Sequence, residues 1–317
     1  MASAMRETIA SQPGELRRLL GDDGAIAAAA ERLRGRRVLL VGTGTSWHAA
    51  GVGAWFLRAA GVEAWAVQAM DAALSGPRPG AEDGLILLSH RGTKRYTTAV
   101  VERARSAGAA VVSISARGVA GADIETVEPE RSSAFTASHL GALMRLAQLS
   151  VALGGDLGGP LAGVPDAVAG IVDGPPIGVA PPARSLEFIG AGPNQWTAAE
   201  GALKIRETAY VAASGLAVEQ YLHGPSVAVG PNDTLVALNG GGPGEERLLA
   251  VARGAESCGV AVRLIEAKAG GELLSVFPLT AAVQRIALEA AETLGTNPDS
   301  FGRDLPARAH ALDGIGL

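Results

Sequence analysis

The chain has 317 residues, 48% of them hydrophobic and 19% charged, with 43 glycines, few aromatics and a formal net charge of −5. That composition suits two compact domains and excludes a disordered or fibrous chain. The acidic balance and scarce aromatics also argue against a general nucleic-acid binder, which needs clustered cations or a stacking platform. The single cysteine, Cys258, excludes an internal disulfide and fits a reducing compartment. Residues 1–20 lack the apolar core of a signal peptide, and no stretch reads as the roughly 20 apolar residues that cross a bilayer. A soluble, cytoplasmic chain with neither a nucleic-acid nor a membrane partner is therefore expected.

Residues 1–34 read as an N-terminal helical segment. Val38-Leu39-Leu40-Val41-Gly42 is a short apolar run ending in glycine, the form of a buried parallel strand, and residues 46–60 read as the helix that follows it. Leu85-Ile86-Leu87-Leu88-Ser89 and Ala110-Val111-Val112-Ser113-Ile114 repeat the strand pattern, with a helix from about Tyr96 between them. Residues 35–160 thus form a first domain, and glycines and prolines make 161–183 a linker. The pattern restarts in a second domain, 184–300, with strands at Ser185-Leu186-Glu187-Phe188-Ile189-Gly190, 234–238 and 261–265 and a helix over 197–212; a tail, 301–317, follows. Alternating strands and helices imply an α/β fold of two domains, each a parallel sheet flanked by helices in three αβα layers. Gly42-Thr43-Gly44-Thr45-Ser46 and Gly190-Ala191-Gly192-Pro193-Asn194 stand at matching places, as in a diverged duplication.

In an open α/β sheet, ligands bind where strands end and helices begin. Two loops in the first half have that placement. In Gly42-Thr43-Gly44-Thr45-Ser46, the glycines admit close backbone approach and the hydroxyls and amides of Gly44, Thr45 and Ser46 can hold an anion. The frame is neither a Rossmann fingerprint, since Trp47 stands where the third glycine belongs, nor a Walker loop. The second loop, Ser89-His90-Arg91-Gly92-Thr93-Lys94, adds hydroxyls and cations suited to charge-assisted hydrogen bonds. In the second half, Glu200, Lys204 and Glu207 fall at i, i+4 and i+7, one face of a helix, and His223 lies in Leu222-His223-Gly224-Pro225. Two carboxylates, a lysine and a histidine can move protons on a sugar carbon; the spacing alone is equally that of a solvated salt-bridge stripe. No histidine pair has a metal-ligand spacing, no Cys-x-x-Cys occurs, and no metal or cofactor is expected.

Several motifs in order resemble one family. Met5-Arg6-Glu7 with Gln12-Pro13, Gly42 to Ala49, Ala134-Phe135-Thr136, Glu200-Gly-Ala-Leu-Lys204-Ile-Arg-Glu207, Leu222-His223-Gly224-Pro225 and Arg303-Asp304-Leu305 are similar to the isomerase half of glucosamine-6-phosphate synthase, a pair of sugar-isomerase (SIS) domains. The resemblance implies two tandem SIS domains and a cofactor-independent reaction on a sugar phosphate. Glu207 would be the base between C1 and C2, and Lys204 would stabilise charge on a substrate oxygen. Glu200 would orient Lys204 or contact the sugar. His223 would open the ring from the neighbouring subunit of a homodimer with a shared active site. The loop after the second strand would grip the phosphate: Ser89, Gly92 and Thr97 keep the family's pattern, while His90, Arg91, Thr93 and Lys94 depart from it and would either strengthen phosphate binding or mark another anion such as a carboxylate. Arg131 and Ser132 would lie near the sugar.

Three departures bear on the reaction. No glutaminase segment precedes the isomerase-like region, so glutamine dependence is not expected of this chain by itself. The tail reads Arg303-Asp304-Leu305-Pro306-Ala307-Arg308, without the family's Schiff-base lysine, and arginine cannot be that amine nucleophile. Glu128-Pro129-Glu130-Arg131-Ser132-Ser133 is charged where the family has small, uncharged residues. These favour isomerisation, or deamination or deglycation of an amino sugar phosphate, over glutamine-driven synthesis. A non-catalytic phosphosugar sensor, and an enzyme acting on a non-phosphorylated or carboxylated sugar, stand as alternatives.

Overall fold

The computed structural model describes residues 3–268 and 270–315. The chain divides into two compact units. One comprises Gln12–Pro129 and Ala137–Asp166. The other takes the start of the chain through Ser11, Glu130–Thr136 and everything from Ala167 onward.

Helices α1 (Ala4–Leu20) and α2 (Gly24–Leu33) open the chain. The first sheet then forms from β1 (Arg37–Gly42), β2 (Ala64–Gln68), β3 (Asp83–Leu88), β4 (Ala110–Ser115) and the short β5 (Ile124–Glu125), in the order β2-β1-β3-β4-β5 and parallel throughout. Its connections are α3 (Thr45–Ala59), α4 (Ala69–Leu74) and α5 (Arg95–Ser106), and α6 (Ala137–Ala152), α7 (Gly158–Leu161) and α8 (Val164–Val172) follow it. The apolar runs expected as strands are buried on both faces, as a sheet covered by helices requires. Inside this unit Arg145 of α6 is 2% exposed. Its guanidinium donates to Glu125 O at 2.7 Å and Asp22 Oδ2 at 2.7 Å, so a buried cation joins α6, β5 and the turn after α1.

The second sheet is built from β6 (Ser185–Gly190), β7 (Ala212–Ala217), β8 (Thr234–Asn239) and β9 (Ala261–Glu266), parallel and ordered β7-β6-β8-β9. Its helices are α9 (Asn194–Thr208), α10 (Val218–Leu222), α11 (Glu245–Ser257), α12 (Gly271–Leu274), α13 (Val276–Leu294) and α14 (Pro306–Gly314), with a 3₁₀ turn at Pro225–Ala228. Two parallel sheets flanked by helices are thus what the alternating pattern led us to expect.

One local expectation fails. The helix read over 197–212 starts and stops earlier, and edge strand β7 follows it. Ala-Ala-Ser-Gly-Leu-Ala carries almost no intrinsic strand preference. Its pairing is decided by packing: a Cβ on Gly215 would lie 2.1 Å from Ala198 O, so only glycine lets α9 rest on the strand.

The reading that no stretch approaches a membrane-spanning length is also corrected. Among the described residues, Gly271–Leu294 is one helical stretch long and apolar enough to do so. Its most apolar window is 83% buried inside the protein, where α13 packs on α9, and a helix buried on nearly all sides is apolar all round for that reason.

The entry to the second sheet is set by charge. Arg184 Nε donates to Asp233 Oδ1 at 2.8 Å, and the same carboxylate accepts from the backbone N–H of Gly230 at 2.8 Å. The Arg184 hydrogen bond holds Asp233 well below the usual carboxylate range against the opposing effect of burial. The unfolded chain takes up this proton near pH 4 and the folded chain only at lower pH. Asp233 therefore stabilises the fold fully above about pH 4 and progressively less as pH falls toward its native value. In Asp233→Asn, thermal stability at pH 7 should fall, and its decline between pH 5 and 2 should be shallower than in the parent. Parallel decline of the two proteins would refute the assignment.

Candidate active site

Helix α9 begins where β6 ends and carries the acidic and basic residues of the Glu200–Glu207 segment. Gly201 sets its depth: a Cβ there would meet Phe188 at 3.1 Å and Val283 at 3.0 Å, so α9 lies close against β6 and α13. This turns the face carrying positions 200 and 204 inward. Glu200 and Lys204 are both 0% exposed, and Glu207, one turn further on, keeps 13% of its side chain in solvent. Lys204 Nζ lies 2.5 Å from Glu207 Oε2 and 3.4 Å from Glu200 Oε1. The solvated stripe that the spacing alone would permit is therefore excluded for this helix.

A fourth group, which the sequence reading missed as a site member, completes the cluster. Glu130 is 5% exposed in the segment Glu130–Thr136 that joins the second-sheet unit. Both its carboxylate oxygens accept the backbone N–H of Thr136 at 3.0 Å, and its charge bears on Lys204. The available signal was its place before Ala134-Phe135-Thr136, in a stretch read as charged but of which only Arg131 and Ser132 were placed near the sugar. Burial alone would push the Lys204 ammonium down, but Glu200, Glu207 and Glu130 outweigh it and raise Lys204 above its ordinary value. Lys204 thus stays charged, and its Nζ is engaged by carboxylates. Glu207 keeps an open edge, with 13% of its side chain in solvent.

The remaining second-sheet residues are distributed as follows. Arg131 is exposed and pairs with Glu7, while Ser132 is fully covered and its Oγ accepts from the Ala134 N–H at 3.2 Å. His223 stands apart from the α9 cluster, on the turn after α10, with 74% of its side chain exposed. Its Nε2 is 3.2 Å from Glu219 Oε1, and Glu219 is also held by Arg247 at 2.9 Å. The hydrogen bond from Arg247, aided by His223, lowers the Glu219 carboxyl.

In the first-sheet unit, the two expected anion loops leave neighbouring strands β1 and β3, where the strand order reverses, the customary ligand position in such sheets. The turn after β1 requires its glycines: a Cβ on Gly42 would lie 2.4 Å from Ser46 O, and Gly44 has φ +57°. Thr45 and Ser46 are half-buried at the start of α3. After β3, buried Ser89 accepts the Gly92 N–H on its Oγ at 3.2 Å, and Gly92 has φ +70°. His90 is half-buried, while Arg91, Gly92, Thr93 and Lys94 are exposed ahead of α5. Among the described residues no group of three metal-ligating side chains converges.

Two parallel sheets flanked by helices are the fold of SIS phosphosugar isomerases. No family model matches the chain. It is 28% identical over 322 residues to the glutamine–fructose-6-phosphate aminotransferase of Aeropyrum pernix, covering 88% of this chain and 52% of that relative. It is 30% identical to the like-named protein of Sphingobium yanoikuyae over 37% of this chain and 86% of that relative. Among solved structures it superposes on the tagatose-6-phosphate ketose/aldose isomerase of Escherichia coli with a TM-score of 0.81 at 20% identity, covering 94% of this chain and 95% of the other. For the glucosamine-6-phosphate deaminase of Thermotoga maritima the TM-score is 0.75 at 19% identity, covering 94% and 97%. The chain belongs to the double-SIS-domain phosphosugar isomerase family, alongside the isomerase half of glutamine–fructose-6-phosphate aminotransferase. It spans about half the length of the Aeropyrum relative.

Proposed function

We propose that the chain is a cofactor-independent enzyme of phosphorylated sugars that performs an aldose–ketose proton transfer, as an isomerase or as a deaminase or deglycase of an amino sugar phosphate. The observation that carries this is the buried Lys204 ammonium held between Glu200 and Glu207, with Glu207 keeping an open edge. In isomerisation, Glu207 takes the proton from the carbon beside the carbonyl to leave an enediolate and returns it to the neighbouring carbon, while the hydroxyl proton passes from one oxygen to the other. Lys204 fixes the carboxylate and offsets negative charge as it develops. Glu200 and Glu130 hold Lys204. His223, exposed on its own chain, serves ring opening in the site of a second copy, so the working form is a homodimer with shared sites. Ser89 to Lys94, the start of α5 and the turn of Gly44, Thr45 and Ser46 hold the phosphate.

The names of the solved neighbours, an isomerase and a deaminase, support these two reaction types. A carboxylated sugar is the second reading. It is favoured by Lys94 and Arg95, which are exposed and carry no ion pair among the described residues.

Fructose 6-phosphate and glucosamine 6-phosphate are each expected to raise the melting temperature, and fructose and glucosamine are not. Ligand at 100 times its Kd adds about 2.7 kcal/mol. Product formed from either phosphate distinguishes an enzyme from a sensor. Stabilisation by sugar acids alone would replace this proposal with the second reading.

A further inference from the structure

Helix α9 ends in an unusual way. Its C-cap is Ala209, and the next residue, Tyr210, has φ +58°. That position is where glycine is the default, because a left-handed backbone places Cβ against the following carbonyl. Tyr210 and Phe301 (φ +55°) are the two non-glycine residues with positive φ among those described, and Phe301 lies between Ser300 and Gly302, both hydrogen-bonded to Tyr210. The Tyr210 Oη accepts the Gly302 N–H at 3.1 Å and lies 3.0 Å from Ser300 Oγ and 3.2 Å from Asp304 Oδ1. The Arg308 guanidinium covers the ring at 4.5 Å. Two residues earlier, Thr208 O accepts the Thr296 hydroxyl at 2.7 Å, while the Thr208 hydroxyl donates to Lys204 O at 2.8 Å. The last turn of α9, which carries Glu207, is thereby stitched to residues 296–308.

A bulky L-residue held in this region is strained and persists where its surroundings over-determine it. A glycine would remove the strain and lose every one of the side-chain contacts. We propose that Tyr210 is a positioning residue. It docks the C-terminal segment on the end of α9 and so holds Glu207 in register with Lys204; the inference rests on the catalytic reading of Glu207 given above.

Three variants test it. Tyr210→Phe keeps the ring over Arg308 and removes the hydroxyl. Hydrogen exchange of residues 205–210 and 300–308 is expected to rise together by about tenfold. kcat on the turned-over phosphosugar should fall about tenfold with KM within about twofold. Tyr210→Ala and Tyr210→Gly both lose the side-chain contacts, but only alanine keeps the strain. Glycine should therefore melt higher than alanine while showing the same loss of kcat.

Unchanged exchange in Tyr210→Phe overturns the clasp. Faster exchange with wild-type kcat overturns the link to Glu207. Equal melting of the alanine and glycine variants overturns the strain argument, and a parallel fall of kcat and folded fraction would leave a merely structural role in its place. If the parent turns over no phosphosugar, the catalytic reading fails, and the coupled exchange of the two segments alone decides the clasp.

Discussion

Replacing Glu207 by glutamine is expected to lower turnover of a phosphosugar by about 10²–10⁴-fold, the usual contribution of a positioned general base. Glutamine keeps the shape of the side chain and cannot accept a proton at the working pH. Binding should change much less, because the phosphate is proposed to be held by other residues, Ser89 to Lys94 and the turn of Gly44, Thr45 and Ser46. Single-turnover kinetics beside a thermal-shift titration separate the two effects. A variant that binds and turns over like the parent would remove Glu207 from the chemistry. A variant that no longer binds would make it a binding group.

Lys204→Met is expected to produce the largest loss of stability. Its ammonium is enclosed by Glu200, which is fully buried, and by Glu207 and Glu130. Methionine fills a similar volume but leaves buried carboxylates without a counter-charge, at a cost of about 3–5 kcal/mol. At about 2–4 °C per kcal/mol for a domain of this size, the melting temperature should drop by roughly 6–20 °C. Adding Glu200→Gln to the same chain removes one uncompensated charge and should restore part of the loss, so the two changes should be strongly non-additive. Melting within about 2 °C of the parent would mean that the cluster contributes little to the fold, and Lys204 would then be free for a direct role with substrate.

Much of the scaffold was legible because local physics controls it. Short apolar runs became β1 and β3, since a strand buried on both faces must be apolar along its length, and β1 and β6 end in Gly42 and Gly190, where the turn into the next helix excludes a Cβ. The loop glycines and hydroxyls after β1 and β3 followed from the same reasoning. Strand β7 and the true end of α9 were not legible. Their residues lack strand preference, and the pairing depends on a helix resting on Gly215.

The candidate site divides in the same way. The sequence by itself determined that Glu200, Lys204 and Glu207 share one helical face and that His223 precedes a Gly-Pro turn, because helical periodicity and turn chemistry are local. Whether that face meets water or the core was decided by tertiary packing, through the close approach of α9 to β6 and α13 at Gly201. Tertiary structure alone brought Glu130 to Lys204 from 74 residues away. It alone also joined Tyr210 to residues 300–308, holding a left-handed tyrosine where the local preference is glycine. The burial that keeps three carboxylates around one ammonium depends on groups remote in sequence, and no spacing of residues along the chain encodes it.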